Sequence, residues 1–333
     1  MRNEVLRIGI TAGDPAGIGP EVALRAINAL HDPAIIPLLI GREAVVKKNH
    51  PDIFVDYETA GMPGGSLGEG KKYIHDIHLD LPVPAPGSGS RETGREALAC
   101  IDAGIDLWKA GEIDALVTGP VSKGLIEKSG VRFTGHTEYI AGRTGGDKPY
   151  MMMFSPRYRV ILATTHMPVA EIPAHINARR ILEVLRVGFD SIRKIDGGDV
   201  SLAVAGLDPH CGDDGAIGTF DRDVTAPAIE AARREGIPVE GPFAADTLFL
   251  PGTWERYALI VAHYHDQGLI PFKMLAFDEG VNVTLGLPIV RTSVDHGTAF
   301  DIAGKNLARW SSMTEAIHLA RRLASPGNRR VER

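Results

Sequence analysis

The chain alternates short apolar runs with longer segments whose apolar residues recur at helical spacing. Apolar runs of roughly four to eight residues between turn residues are typical of buried strands, and apolar residues three and four positions apart are typical of amphipathic helices. The runs predict strands at Leu6–Thr11, Ile36–Gly41, Ala115–Thr118, Arg159–Thr164, Ser201–Gly206 and Ala258–Ala262. The helical segments are Pro20–Leu30, Glu92–Ala110, Asn177–Lys194 and Ala226–Glu235.

This alternation predicts an α/β fold with a mostly parallel sheet and helices on both faces. Such sheets bind ligands at the carboxyl ends of their strands, so the residues that follow each strand are the first candidates for chemistry. Two segments rich in Gly, Pro and Ser, Gly61–Gly70 and Pro82–Ser90, predict surface loops.

Composition places the chain among globular proteins and excludes several partners. Its 333 residues, 44% hydrophobic and 23% charged, suffice for two domains or one large α/β unit. The net charge of −6 gives no basic surface for nucleic acid. We identify no signal peptide, membrane-spanning apolar run or disulfide framework, since the only cysteines are Cys100 and Cys211. We therefore expect a soluble cytoplasmic protein with no nucleic-acid or membrane partner.

Two glycine-rich segments come close to nucleotide-binding patterns without matching them. Thr11–Glu21 follows the first strand and has Pro20 placed to start a helix, but its glycines do not spell G-x-G-x-x-G. It is either a phosphate-binding turn or a tight strand-to-helix turn. Gly65–Lys72 resembles a P-loop, yet Lys72 stands where Ser or Thr is needed, so we do not expect nucleotide-triphosphate binding.

Four histidines follow predicted strands or lie in glycine-rich turns: His136, His166, His210 and His265. Imidazole is a common ligand of borderline divalent metals, and three converging imidazoles leave positions for a substrate. No short metal-binding motif links these histidines, so each can instead be a hydrogen-bonded turn residue. Their shared placement after strands favours a metal site.

A second group is polar and basic. Arg291 offers a planar fork for phosphate or carboxylate, and Lys273 offers a point charge. Together with Asn282 they are either ligand contacts or exposed loop residues. Asp246, between apolar neighbours, is either a base with a raised pKa or a helix N-cap.

Taken in order, these segments make the chain similar to the 4-hydroxythreonine-4-phosphate dehydrogenase family of pyridoxal phosphate biosynthesis, almost from end to end. The resemblance implies a two-domain α/β/α sandwich like that of isocitrate and isopropylmalate dehydrogenases, with the active site in the interdomain cleft. One domain would hold residues 1–130 and 285–333, and the other residues 131–284. The matching segments are Thr11–Glu21, Val117–Lys123, Phe133–Glu138, Ala163–Pro168, Gly206–Gly218, Gly241–Phe249, His265–Gly268, Asn282–Arg291 and Thr292–Gly304.

The resemblance also implies a reaction and its cofactors. NAD or NADP would oxidise 4-phosphooxy-L-threonine, and loss of CO2 would give 3-amino-2-oxopropyl phosphate. The divalent metal would be zinc first, with cobalt, manganese or magnesium as alternatives. The implied homodimer would share each metal between His166 and His210 of one subunit and His265 of the other.

The remaining implied roles belong to substrate and proton transfer. Either Lys273 or Asp246 would be the catalytic residue that moves the proton, and the residues that contact the cofactor are not identified. The substrate contacts would be His136, Thr137, Lys273, Asn282 and Arg291.

The sequence departs from the family pattern around His210. Asp208 stands where Asn is expected, and Cys211 and Asp213 also differ. A related substrate, 4-phospho-D-threonate, 4-phospho-D-erythronate or a dihydrodiol dicarboxylate, is therefore an alternative, although His136, Thr137 and Arg291 favour a phosphorylated one. A metal-dependent hydrolase or aldolase, and a binding protein without catalysis, are alternatives from other classes.

Overall fold

The computed structural model describes residues 5–60, 67–146 and 148–325. The chain divides into two compact units, the first formed by Met1–Pro149 and Leu287–Arg333 and the second by Tyr150–Gly286. Residues 131–149, assigned to the second domain from the sequence, lie in the first unit. Residues 61–66 of the predicted loop Gly61–Gly70 are outside the described residues.

The first unit contains a parallel sheet with strand order β3-β4-β2-β1-β5-β12. Its strands are β1 Leu6–Thr11, β2 Ile35–Gly41, β3 Tyr57–Thr59, β4 Lys72–Asp76, β5 Ala115–Thr118 and β12 Arg291–Val294. Its helices are α1 Gly19–Asn28, α2 Glu43–Asn49, α3 Arg91–Lys109, α4 Lys123–Lys128, α5 His136–Thr144 and α12 Ser311–Ala324.

The core of the first unit is built on strands that are buried on both faces. All seven residues of β2 are buried, as expected where helices cover both faces of a parallel sheet. Alternate β2 residues such as Leu38 and Ile40 share a buried cluster with Ile101 and Ile105 of α3. Helices α1 and α12 pack on each other, α1 against β2 and α12 against β1, β5 and β12.

The second unit contains a mixed sheet with strand order β11-β6-β7-β10-β8-β9. Strands β7, β10, β8 and β9 are parallel, whereas β6 runs antiparallel to both β7 and β11. The strands are β6 Tyr150–Phe154, β7 Arg159–Leu162, β8 Leu202–Ala205, β9 Val239–Phe243, β10 Leu259–Ala262 and β11 Val281–Leu285. The helices are α6 Ile172–His175, α7 Ala178–Asp196, α8 Ala226–Arg234, α9 Ala245–Leu248, α10 Pro251–Trp254 and α11 His265–Ala276.

The α/β class and the mostly parallel sheet predicted from the sequence are confirmed. Every predicted strand and helix is present, with bounds that agree to within two residues. Pro20 lies in the first turn of α1, as predicted. Lys72 begins strand β4, whereas the P-loop motif requires a helix at this point. No helix within the described residues is long and apolar enough to cross a membrane.

Candidate active site

Three histidines of the second unit follow three neighbouring parallel strands. His166 comes four residues after β7, and His265, the first residue of α11, comes three residues after β10. His210 follows β8 by five residues. Strand β10 lies between β7 and β8, so the three carboxyl ends meet at one edge of the sheet. We refer to His166, His210 and His265 as the histidine group.

Two members of the histidine group lie side by side within one chain. The ring centroids of His166 and His265 are 5.5 Å apart, and Nδ1 of His265 lies 2.8 Å from Oδ1 of Asp266. Over the part of the chain that the structure describes, no three His, Cys, Asp or Glu side chains are placed to hold a metal ion together. Within one chain this contact joins His166 to His265, and the division of the three histidines between two subunits stays a prediction.

His210 lies in a turn whose backbone is strained. The φ angles of His210, Cys211, Asp213 and Asp214 are 52°, 55°, 46° and 54°, which places all four in the left-handed region. That region costs a residue with a side chain about 1–2 kcal/mol. Such strain persists only where surrounding contacts enforce it, and it concentrates at functional sites. The strained backbone therefore favours a functional role for this turn over a purely connecting one.

His210 also lines a cavity of about 550 Å³ in the second unit. Carboxylates of Asp208, Asp246 and Asp266 share this cavity with the apolar side chains of Phe249, Leu250 and Ile270. Asp246 is the second residue of α9, whose N-cap is Ala244, so the N-cap interpretation of Asp246 is wrong. Asp246 instead lines the same cavity as His210.

Arg291 is a buried cation of the first unit. It is 3% exposed, and its Nε and Nη2 donate hydrogen bonds of 3.2 and 2.8 Å to Oγ1 of Thr118. The two residues come together because β12 pairs in parallel with β5. Burial lowers the pKa of Arg291 to about 9, with Glu138 opposing the change, so the guanidinium is cationic at neutral pH.

His136 begins α5 in the same unit, and its Nε2 is buried with no hydrogen-bond partner among the described residues. Burial, followed by the cations Arg291 and Lys123, lowers the pKa of His136 well below 6.5, so the ring is neutral at pH 7. A buried polar atom without a partner is a natural place for a ligand. We refer to Arg291, Thr118 and His136 as the arginine group; Thr137 follows on the same helix.

The other two predicted substrate contacts belong to the second unit. Lys273 lies on α11, eight residues after His265, and is half-buried. Asn282 is on β11, and its Oδ1 is buried without a hydrogen-bond partner within the described residues. This oxygen is available to accept a hydrogen bond from a ligand.

Sequence reasoning missed residues that act by supporting others. Thr118 ends a predicted strand, and the threonine in Val117-Thr-Gly-Pro marks a position at a carboxyl edge where polar residues collect. Lys123 lies in a matched segment, and the sequence assigns it no role. Asp221, a carboxylate 1% exposed, has no sequence signal, because the fold alone brings the backbone amides of Leu207 and Asp208 to it.

An α/β fold, histidines at the carboxyl edge of parallel strands and a buried cation beside a histidine whose Nε2 has no partner among the described residues are features of an enzyme for small anionic substrates. Residues 34–320 match the family described as pyridoxal phosphate biosynthetic protein PdxA. The chain belongs to this family.

Relatives of known name agree with this assignment. A 4-hydroxythreonine-4-phosphate dehydrogenase of Chromobacterium violaceum is 43% identical over 331 residues, covering 97% of this chain and 98% of the relative. The crystal structure of the Klebsiella pneumoniae protein of that name has a TM-score of 0.82 and 33% identity, covering 96% of this chain and all of that one. A terephthalate 1,2-cis-dihydrodiol dehydrogenase of Burkholderia xenovorans LB400 has a TM-score of 0.68 and 28% identity, at 97% and 99% coverage.

Proposed function

We propose that this protein is an NAD(P)-dependent 4-hydroxythreonine-4-phosphate dehydrogenase, which oxidises and decarboxylates 4-phosphooxy-L-threonine to 3-amino-2-oxopropyl phosphate and CO2. The observation that carries the proposal is the arginine group, a buried guanidinium with a neutral histidine whose Nε2 has no partner among the described residues. A phosphate monoester supplies the charge and the hydrogen-bonding oxygens that such a group requires. The names and high coverage of the relatives support the same activity.

In this proposal the arginine group binds the substrate phosphate. Thr118 accepts two hydrogen bonds from the guanidinium and so limits its rotation, and the guanidinium supplies the positive charge and planar N–H groups that suit phosphate oxygens. His136 donates a hydrogen bond from Nε2 in the neutral tautomer that carries its proton there, and Thr137 adds a hydroxyl. Lys273 and Asn282 contact the rest of the substrate. Oδ1 of Asn282 accepts a hydrogen bond from its amino or hydroxyl group.

The chemistry of the histidine group fits a divalent metal. The neighbouring imidazoles of His166 and His265, with His210 as third ligand, make a nitrogen set that suits zinc, and cobalt, manganese or magnesium are the alternatives that the resemblance implies. A metal ion held there would supply Lewis acidity, and the nicotinamide cofactor would supply the hydride acceptor. The protein aligns the reacting carbon and excludes competing geometries.

Either Lys273 or Asp246 takes the hydroxyl proton. Lys273 lies on the helix that begins with His265, and Asp246 lines the cavity beside His210. Lys273→Met and Asp246→Asn distinguish them through the pH profile of kcat. The variant that removes the base loses the ionisation seen in wild type, and the other variant keeps it.

A homodimer completes the histidine group in this proposal. Helix α11 exposes a stripe at positions four and three residues apart, with Ile270 58%, Met274 80% and Phe277 63% exposed. Ile270 also lines the cavity of His210, so the stripe is continuous with it. A second copy of the chain that covers this stripe would lie next to the histidine group. We propose that His166 and His265 of one subunit bind the metal with His210 of the other.

Mixing inactive variants tests this division of ligands. Each single variant, His166→Ala, His210→Ala or His265→Ala, lacks a ligand at both sites of its dimer. With the proposed division, heterodimers of His166→Ala and His210→Ala have one intact site, so random exchange restores about one quarter of wild-type activity. Heterodimers of His166→Ala and His265→Ala recover none.

The reverse result, recovery only when His265→Ala is one of the mixed variants, would support the division first inferred from the resemblance. No recovery in any mixture, with subunit exchange verified by mass-tagged subunits, contradicts a shared site altogether.

A substrate panel tests the reaction itself. The readout is formation of reduced nicotinamide with 4-phosphooxy-L-threonine, 4-phospho-D-threonate and 4-phospho-D-erythronate. We expect the highest kcat/KM with the first. Turnover of a phosphorylated substrate without reduction of the cofactor would favour a metal-dependent hydrolase or aldolase instead.

A further inference from the structure

The buried carboxylate of Asp221 accepts hydrogen bonds from the segment that leads to His210. Its Oδ1 accepts from the backbone N–H of Leu207 and its Oδ2 from that of Asp208, both at 2.9 Å. Hydrogen bonds to an ionised acceptor are stronger than those between neutral groups. The two amides lie between the end of β8 and His210, so the carboxylate fixes the direction in which the chain enters the His210 turn.

Asp221 is itself fixed by a short buried chain of hydrogen bonds. Oγ1 of Thr225 donates to Oδ1 of Asp221 at 2.8 Å and lies 3.2 Å from Nε2 of His263. The Thr225 hydroxyl donates its proton to Asp221, so its oxygen accepts a hydrogen bond from His263. The His263 ring is therefore the tautomer that carries its proton at Nε2. Thr225 and His263 are both fully buried. The carboxylate therefore has little freedom to move.

His263 of this hydrogen-bonded chain also takes part in a link between the segments that follow strands β10 and β8. The backbone N–H of His263, just after β10, donates to Oε1 of Gln267 at 2.7 Å, and Nε2 of Gln267 donates to the carbonyl of Gly206 at 2.7 Å. A side chain at Gly206 would not fit, because its Cβ would lie 2.7 Å from Sγ of Cys211. His210 follows β8 and His265 follows β10, so both histidines belong to the segments that this link connects.

We propose that Asp221 is a positioning residue that sets the place of His210 for metal binding. It acts through the backbone of Leu207 and Asp208, and the inference rests on the proposed role of His210 as a ligand. Four residues with side chains in left-handed conformation follow this anchor. Their own preferences oppose that conformation, so the turn depends on a fixed starting point.

Cobalt binding tests the inference without turnover. In Asp221→Asn the side-chain NH2 faces one of the two backbone amides, so one of the two bonds is lost. We expect the affinity of the purified dimer for Co²⁺, measured by competition with a chelator, to fall by about 10- to 100-fold, with altered visible bands of the bound ion. The matched control is Asp223→Asn, which changes an exposed carboxylate paired with Arg222 and should leave affinity and spectrum unchanged.

A double variant separates positioning from general destabilisation. In a His210→Ala background, Asp221→Asn should cause no further loss of Co²⁺ affinity, because its effect passes through His210. An additional loss as large as in the wild-type background overturns the inference. Wild-type affinity in Asp221→Asn, with the loss retained in His210→Ala, also overturns it and leaves the metal site intact. Wild-type affinity in His210→Ala overturns the proposed ligand role, and the inference with it.

A second variant decides the matter if Asp221→Asn does not fold. Thr225→Val removes the hydroxyl that fixes Oδ1 of Asp221 but keeps the carboxylate and the approximate side-chain shape. A several-fold lower Co²⁺ affinity in protein with unchanged far-UV circular dichroism supports the inference. Unchanged affinity overturns it.

Discussion

The arginine group of the first unit and the histidine group of the second unit are built in opposite ways. Arg291 is buried and bound to Thr118 within its own unit. His166 and His210 are exposed, the ring of His166 lies beside that of His265, and no three possible metal ligands meet within the described residues. The core of one chain holds the arginine group in place, whereas our proposal completes the histidine group with a ligand from a second subunit.

This difference indicates what holds the side chains of each group in place. A buried arginine loses little freedom when it binds an anion, because folding has already ordered it. An exposed histidine is ordered by its backbone turn and by whatever binds it. Substitutions in the arginine group should therefore act on substrate affinity, and substitutions in the histidine group on metal affinity and assembly.

The largest effect is expected from His265→Ala. This change removes one of the paired imidazoles, and metal affinity should fall by more than about 100-fold, since even an indirect partner of a ligand contributes about 10- to 100-fold. Metal content after dialysis and dehydrogenase activity should both drop. If the variant retained one metal ion per site, the histidine group would not be the metal site, and the contrast drawn between the two groups would be wrong.

Arg291→Lys should separate the two groups. Lysine cannot present a bidentate fork, and one charged hydrogen bond contributes about 1.5–3 kcal/mol. We expect KM for the phosphorylated substrate to rise roughly 10- to 100-fold while metal content stays unchanged. Loss of metal with a nearly unchanged KM would contradict the assignment of Arg291 to phosphate.

The pH dependence of stability should depend on His136. Its folded pKa is lowered by burial and by nearby cations, so the unfolded chain takes up a proton at pH values where the folded chain does not. The free energy of unfolding should fall as pH drops below about 6.5, by up to about 1.4 kcal/mol per pH unit, and His136→Asn should remove this part of the slope. The control is Val55→Thr, at an exposed side chain that carries no titrating group, which should keep the wild-type slope.

Denaturant unfolding between pH 5 and pH 8 measures both variants. Equal slopes for wild type and His136→Asn would mean that the folded protein protonates His136 as readily as the unfolded chain does.

The smallest effect is expected from Asp208→Asn. Oδ2 of Asp208 accepts a long hydrogen bond of 3.3 Å from the backbone N–H of Phe220, and an amide oxygen can still accept it. We expect stability to change by less than about 1 kcal/mol and activity to persist, with a shifted preference among phosphorylated acids. An unfolded or metal-free variant, judged by circular dichroism and metal analysis, would make Asp208 a structural support of His210.

Hydrophobic periodicity predicted six of the parallel strands, because strands such as β1 and β5 are buried on both faces and leave continuous apolar runs. It did not predict the parallel strands β3, β4, β9 and β12, nor β6 and β11, which pair antiparallel with each other. The methionine-rich run of β6 is apolar throughout, so it has no alternation that would distinguish a strand from a buried helical segment.

The sequence by itself determined the fold class, the placement of His166, His210 and His265 after strands, and the family. These properties follow from local periodicity and from motifs that remain contiguous in the chain. Only the tertiary structure decided that the rings of His166 and His265 lie side by side, that Asp246 and His210 line one cavity, and that Asp221 accepts hydrogen bonds from the segment before His210. Such contacts join residues distant in sequence, and their distances depend on strand order and burial, which no local pattern contains.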